Sequence, residues 1–152
     1  MKSIVTVIAA LALTSNLIFT SCAVKGCKDK DSTNYNSKAT DDDGTCNYQG
    51  QYVYWWKKGF TDSCVAHGVA NVKIYVDGAL AGTVPITTPY YTTAPSCGGG
   101  ALTVTKDLGT SKTKILTSNA TLVNASNATL YTIPISNNTF AGNTCTSQEY
   151  LW

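Results

Sequence analysis

At 152 residues the chain has room for one ordinary domain with appendages, not for a multidomain machine. Charged residues make up only 13%, with 11 Lys, no Arg, 9 acidic residues and one His, for a net charge of +2. That charge is too small and too scattered for a nucleic-acid or anionic-membrane footprint, and without Arg the bidentate fork that favours phosphate is missing. Thr is enriched at 23 copies and is joined by 9 Tyr and 3 Trp, a composition that favours strands over helices.

The first element is an address. Lys2 precedes an uncharged, mostly apolar run, Ile4 to Leu13, which is too short to span a bilayer but suits the core of a secretory signal. Leu17-Ile18-Phe19-Thr20-Ser21-Cys22 follows, and small residues before a Cys resemble the lipobox of bacterial lipoproteins, with Phe19 in place of the usual Leu. The resemblance implies removal of residues 1–21, lipidation of Cys22 and attachment to a membrane by its acyl chains, two or more of which give stable anchoring. The alternative is plain secretion with cleavage after Ala23. Either route leads to an oxidising compartment, where the remaining Cys residues are expected to form disulfides.

Residues 22–49 form a second segment. Between Cys27 and Cys46 there is no aliphatic side chain larger than Ala, so the segment has no core of its own. Asn34, Asn36 and Asp42-Asp43-Gly44 are turn formers. Asp29, Asp31, Asn34, Asp41, Asp42 and Asp43 are also candidate calcium ligands, although the spacing is not that of an EF-hand and no bidentate Glu follows. The turn-forming reading is preferred. Gly26-Cys27-Lys28-Asp29, Asn34-Tyr35-Asn36 and Asp42-Asp43-Gly44-Thr45-Cys46-Asn47-Tyr48 resemble a two-cysteine module of secreted and surface proteins of Bacteroidota. That resemblance implies a bacterial envelope source and a Cys27–Cys46 bridge, with no catalysis.

From Gly50 to the end the pattern turns to β. Strands are expected at Tyr52–Trp56, at Asn71–Val76 with Val72, Ile74 and Val76 on one face, and at Leu80–Val84. The second and third flank Asp77-Gly78, a strong hairpin signal. After a Thr/Pro/Tyr loop come a strand through Leu102, Val104 and Leu108, interrupted at Lys106, then Lys114–Leu116, Leu130–Ile135 and Glu149–Trp152. Ser118 to Thr129 reads as a Ser/Asn-rich loop or strand edge with three formal glycosylation sequons. The expected fold is mainly β, an antiparallel sandwich of about seven strands over residues 50–152. Ile74-Tyr75-Val76-Asp77-Gly78 and Gly82-Thr83-Val84-Pro85 resemble the strand–turn–strand of PEGA domains, immunoglobulin-like modules of bacterial envelope proteins that are usually non-catalytic.

A meander through these strands places Cys64 and Cys97 at the same end of the sandwich and Cys145 at the other. Five-residue strands span about 17 Å, beyond the ~7 Å limit between bridged Cα atoms, so the expected pair is Cys64–Cys97, with Cys145 free or bound to a partner's thiol.

Catalytic groups are sparse. His67 is the single imidazole, Glu149 the single Glu, and Cys64 lies three residues before His67. No paired carboxylates, nucleophile elbow, zinc-type cluster or phosphate loop is present, so the chain reads as a non-enzyme. The preferred function is a structural or protein-interaction lipoprotein of the outer membrane; surface-exposed lipoproteins of Bacteroidota resemble one another in an acidic cluster just after the lipidated Cys, and its absence here before Asp29 favours the periplasmic face over the surface. The alternative is a surface carbohydrate-binding module using Trp55, Trp56, Tyr90 and Tyr91. Expected partners are the membrane, through the lipid, and an envelope protein or glycan; nucleic acid is not among them.

Overall fold

The computed structural model describes residues 22–152, so the signal segment 1–21 lies outside the described residues. The described chain is mainly β with one short helix and two disulfides.

Two short parallel strands, β1 (Lys25–Gly26) and β2 (Asp41–Asp42), hold the N-terminal module together beside the Cys27–Cys46 bridge. β3 (Tyr48–Trp56) follows without a break and begins inside the segment assigned to the module. Its even-numbered side chains Tyr48, Tyr52, Tyr54 and Trp56 enter the core, as period-two alternation requires. Helix α1 (Lys58–Ala66) comes next and buries Phe60 and Cys64, one turn apart. It was not expected, because only these two positions are apolar and buried in nine residues, and no side chain caps its N-terminus.

β4 (Asn71–Val76) and β5 (Ala79–Pro85) form the expected hairpin. Asp77 and Gly78 both take positive φ, 55° and 75°, the geometry of a type I′ turn. β6 (Leu102–Gly109) runs through Lys106 without interruption. β7 (Thr113–Val123) and β8 (Thr129–Ala141) are far longer than the hydrophobic runs suggest. Ser118-Asn119-Ala120-Thr121, expected as a loop or strand edge, lies within β7, which is paired on both sides: Ser118 and Ala120 face the core and are buried, and the chain turns only at Asn124–Asn127. β9 (Cys145–Tyr150) starts four residues earlier than expected.

The strands divide into a three-stranded sheet, β6-β3-β9, and a four-stranded sheet, β5-β4-β7-β8. Their inward faces contribute to one apolar cluster that includes Tyr54, Trp56, Val72, Ile74, Leu116, Leu122 and Phe140, together with Cys27 and Cys46 of the module. Most pairings are antiparallel, but β9 lies parallel to β3, with Gln51 opposite Cys145 and Trp56 opposite Tyr150. Parallel pairing demands a crossover, so the meander is wrong, and with it the cysteine assignment. Cys145 starts β9 on the outer face, where it bridges Cys97 at a Cα separation of 5.8 Å. Cys64, expected to bridge Cys97, is instead a fully buried free thiol in α1.

Candidate functional site

The glycan platform expected from Trp55, Trp56, Tyr90 and Tyr91 is not assembled. Trp56 is in the core, 5.5 Å from the ring of Phe60. Trp55 points to the opposite face but is also buried, because the chain after β5 folds over it, bringing Pro89, Tyr91 and Ala101 alongside. The Tyr91 amide donates to the Trp56 carbonyl and fixes this cover. Tyr90 alone of the four is largely exposed. Alternation separates the two Trp, and the Cys97–Cys145 staple anchors the segment that hides Trp55.

The candidate calcium donors are engaged in the module's own turns and contacts. Asp29 accepts from the Asp31 amide, the Tyr48 hydroxyl at 2.9 Å and Lys112 Nζ at 3.0 Å. Those bonds, the Asp31 amide first and then Lys112 and Tyr48, hold its carboxyl below the usual carboxylate range. Asp31 shares Lys112 at 2.7 Å, and the two carboxylates keep the lysine strongly protonated. Asp42 accepts from the Gly44 amide, and Asp43 from the hydroxyl and amide of Thr45, which lower its pKa. Asn34 bridges Thr45 and Asn47, and Asp41 is exposed in β2. Among the described residues no three His, Cys, Asp or Glu side chains converge on a point that could hold a metal ion.

Cys64 and His67 do not form a nucleophile–base pair. Burial pushes the Cys64 thiol up to about 11, the opposite of activation. His67 is exposed and sets Nδ1 2.8 Å from the Ser63 carbonyl. Glu149 pairs with Lys57 at 3.1 Å. Cys22, the lipidation candidate, is exposed and unbridged.

Two surface features remain, at opposite ends of β3. Its nine residues cover about 27 Å. At the Trp56 end lies an apolar depression of about 210 Å³ lined by Phe60, Leu122, Tyr131, Ile133, Leu151 and Trp152 among others. Trp152 is 50% exposed, stacks on His67 at 4.9 Å and meets the ring of Tyr131, itself 42% exposed, at 5.0 Å edge to face. Tyr131 and Ile133 sit opposite Leu122 and Ala120 on the core-facing side of β8, where the space between the elements opens to solvent. The sequence of Leu130–Ile135 predicts a strand; its period-two pattern marks the inward face but says nothing of what covers it.

At the Tyr48 end, between the module and the outer face of the three-stranded sheet, lies a polar cleft of about 330 Å³. Gln49 and Gln51 of β3 and Thr105 of β6 form its floor. Asp31-Ser32-Thr33 of the module makes one wall and Asn143-Thr144-Cys145 of the β8–β9 turn the other. None of these residues was singled out for binding by sequence, apart from Asp31 as a calcium candidate. The one available signal was the pair of polar positions alternating with aromatics at the start of β3.

No protein-family model, curated protein or solved structure matches this chain.

Proposed function

We propose that this chain is a non-catalytic lipoprotein of the bacterial outer membrane, anchored through Cys22, whose β-domain is an immunoglobulin-like sandwich of the PEGA kind that docks an envelope protein. The observation that carries the reading is the exposed Tyr131–Trp152–Leu151 surface, because solvent-facing aromatic and aliphatic groups gathered in one patch mark an interaction site. Its position fits the anchor. The module bearing Cys22 packs on Tyr48, so an acylated Cys22 leaves the patch at the far end of β3, away from the bilayer surface. Two disulfides accord with an oxidising compartment. Among the described residues no helix is long and apolar enough to cross a membrane.

The test has two arms. In detergent phase separation the full chain enters the detergent phase, and Cys22→Ser moves it to the aqueous phase; unchanged partitioning contradicts lipidation. In crosslinking on intact cells, Tyr131→Ala combined with Trp152→Ala removes the captured envelope protein while both disulfides stay formed; capture that survives the double variant contradicts the patch. Protease treatment of intact cells reads the leaflet, and on the periplasmic face the domain is protected.

A further inference from the structure

We infer that the polar cleft between the module and the three-stranded sheet is a binding site for a neutral saccharide of one or two rings. The inference stands apart from the protein-docking patch and uses none of its residues.

The lining sets the chemistry. Its residues are Asp31, Ser32, Thr33, Gln49, Gln51, Thr105, Asn143, Thr144 and Cys145, so apart from Thr methyl groups and the disulfide sulfur the side chains are amides, hydroxyls and one carboxylate. Lys112 pairs with that carboxylate at 2.7 Å and also with Asp29, so the cleft offers no unpaired cation to hold an anionic ligand and its one carboxylate is already engaged. No aliphatic or aromatic side chain lines it to draw an apolar one. Side-chain amides present donors and an acceptor on one planar group, and hydroxyls are both at once. A sugar hydroxyl is the matching partner, since it also donates and accepts.

The groups are available. Gln51 spends its amide on a long contact with the Thr105 hydroxyl, 3.3 Å, whereas the side chains of Gln49 and Asn143 make no hydrogen bond to the protein among the described residues. The backbone beneath them is not available. β3 is paired on both edges, with β6 and with β9, so the strand beneath the cleft floor has no edge for an extended peptide to join. That favours a hydroxyl-rich ligand over a peptide.

The cleft is also held open in advance. The module wall is stapled by Cys27–Cys46, tied to Asn47 through the Thr33 amide, and clamped by Lys112. The opposite wall is stapled by Cys97–Cys145, and its turn is fixed by the Asn143 amide on the Gln49 carbonyl and the Thr144 hydroxyl on Ala141. Each disulfide of the described chain thus secures one wall of the same cleft. A fixed site loses less freedom when it binds, which matters most for a small polar ligand with little area to bury. Its volume is near the lower end of small-molecule pockets and suits one or two pyranose rings.

The experiment titrates the full chain, purified in detergent micelles, with neutral hexoses, N-acetylhexosamines and their disaccharides up to about 20 mM, by calorimetry and saturation-transfer NMR. At least one of these sugars is expected to bind with Kd of about 0.1–10 mM, the range open to a ligand of this size. Gln49→Ala and Asn143→Gly each weaken it about tenfold through loss of a hydrogen-bond partner. Glycine is chosen at 143 because the φ there is 53°. Tyr90→Ala, on the exposed aromatic outside the cleft, leaves the affinity unchanged. Near-ultraviolet circular dichroism identifies any variant that misfolds, and shifts of the Gln49, Gln51 and Asn143 amide resonances in the unmodified chain give a second readout. Failure of every neutral sugar to bind overturns the proposal. So does binding that ignores both variants, or binding confined to charged sugars or peptides.

Discussion

Tyr54 and Tyr150 stack 5.8 Å apart inside the core, yet neither hydroxyl has a hydrogen-bond partner among the described residues. The nearby Ser118 hydroxyl is committed to Ser136 and Asn138. An unpaired buried hydroxyl costs about 1–3 kcal/mol, so Tyr54→Phe is expected to leave stability unchanged or raise it by about 1 kcal/mol in urea unfolding. Burial also pushes the Tyr54 phenol up to about 12 and the Cys64 thiol up to about 11. Both groups ionise more readily in the unfolded chain than in the folded one. Their contributions are therefore complete below the unfolded values of 9.0 for Cys64 and 10.0 for Tyr54, and are lost as pH rises through the folded values. The urea midpoint should fall between pH 9 and 12, and Tyr54→Phe with Cys64→Ala should flatten that fall. A second consequence concerns reactivity. At pH 8 about 0.1% of a thiol with a pKa near 11 is thiolate, so iodoacetamide should leave Cys64 unmodified in the native protein and label it fully after denaturation.

Elements are joined here by side-chain clamps as much as by sheet pairing. Lys112, which follows β6, holds Asp29 and Asp31 and so ties the module to the sheets. Because the bonds lower the Asp29 pKa, their contribution is present above 3.8 and lost as pH falls through the folded value. Limited proteolysis should find segment 28–45 resistant at neutral pH and cut more readily in acid, and Lys112→Met should make it susceptible at both. The Cys97–Cys145 bridge does similar service for the cover over Trp55. Closing a loop of 48 residues contributes about 4 kcal/mol in the chain-entropy model. Cys97→Ala with Cys145→Ala should lower stability by about 2–4 kcal/mol and shift tryptophan emission to the red as Trp55 meets water.

These elements also show what the sequence makes legible. Alternation and the Asp77-Gly78 turn suffice for β4 and β5, because both signals are local. α1 escapes, since its burial rests on Phe60 and Cys64 alone and comes from tertiary packing rather than from an amphipathic stripe. The length of β7 and β8 escapes because small polar residues such as Ser118 and Asn138 sit at buried positions, paired with each other rather than with apolar neighbours. The Cys97–Cys145 bridge escapes because it depends on β9 crossing over to lie parallel to β3, a choice made by the packed sheets and not by any local run. The polar cleft is invisible for the same reason: its three parts lie far apart in sequence and meet only through that crossover and the Lys112 clamp.

At the scale of the whole molecule the module is an integral piece of the core. Cys27 and Cys46 belong to the same buried cluster as Tyr48, Tyr52 and the sheet residues, and the Tyr48 ring reaches both Asp29 of the module and the β8–β9 turn, where an added Cβ on Gly142 would meet it at 2.6 Å. Gly50 is similarly close-packed, because a Cβ there would press on the backbone of Ala141 at 3.0 Å. A 20-residue segment with no aliphatic side chain larger than Ala cannot offset its own chain entropy, which is of order 1–2 kcal/mol per residue, except by sharing the core of the sheets. The expectation is one cooperative transition. Tryptophan fluorescence in a Trp152→Phe background, which reports on β3 through Trp55 and Trp56, and amide exchange at Asn36 and Thr45, which report on the module, should give the same unfolding free energy in the oxidised protein. Gly142→Leu, aimed at the contact between the turn and Tyr48, should lower both together by about 1–3 kcal/mol through overpacking. A module that exchanges its amides well before the sheets unfold would show instead that the disulfide alone maintains it, and that the wall it lends to the cleft is only loosely attached.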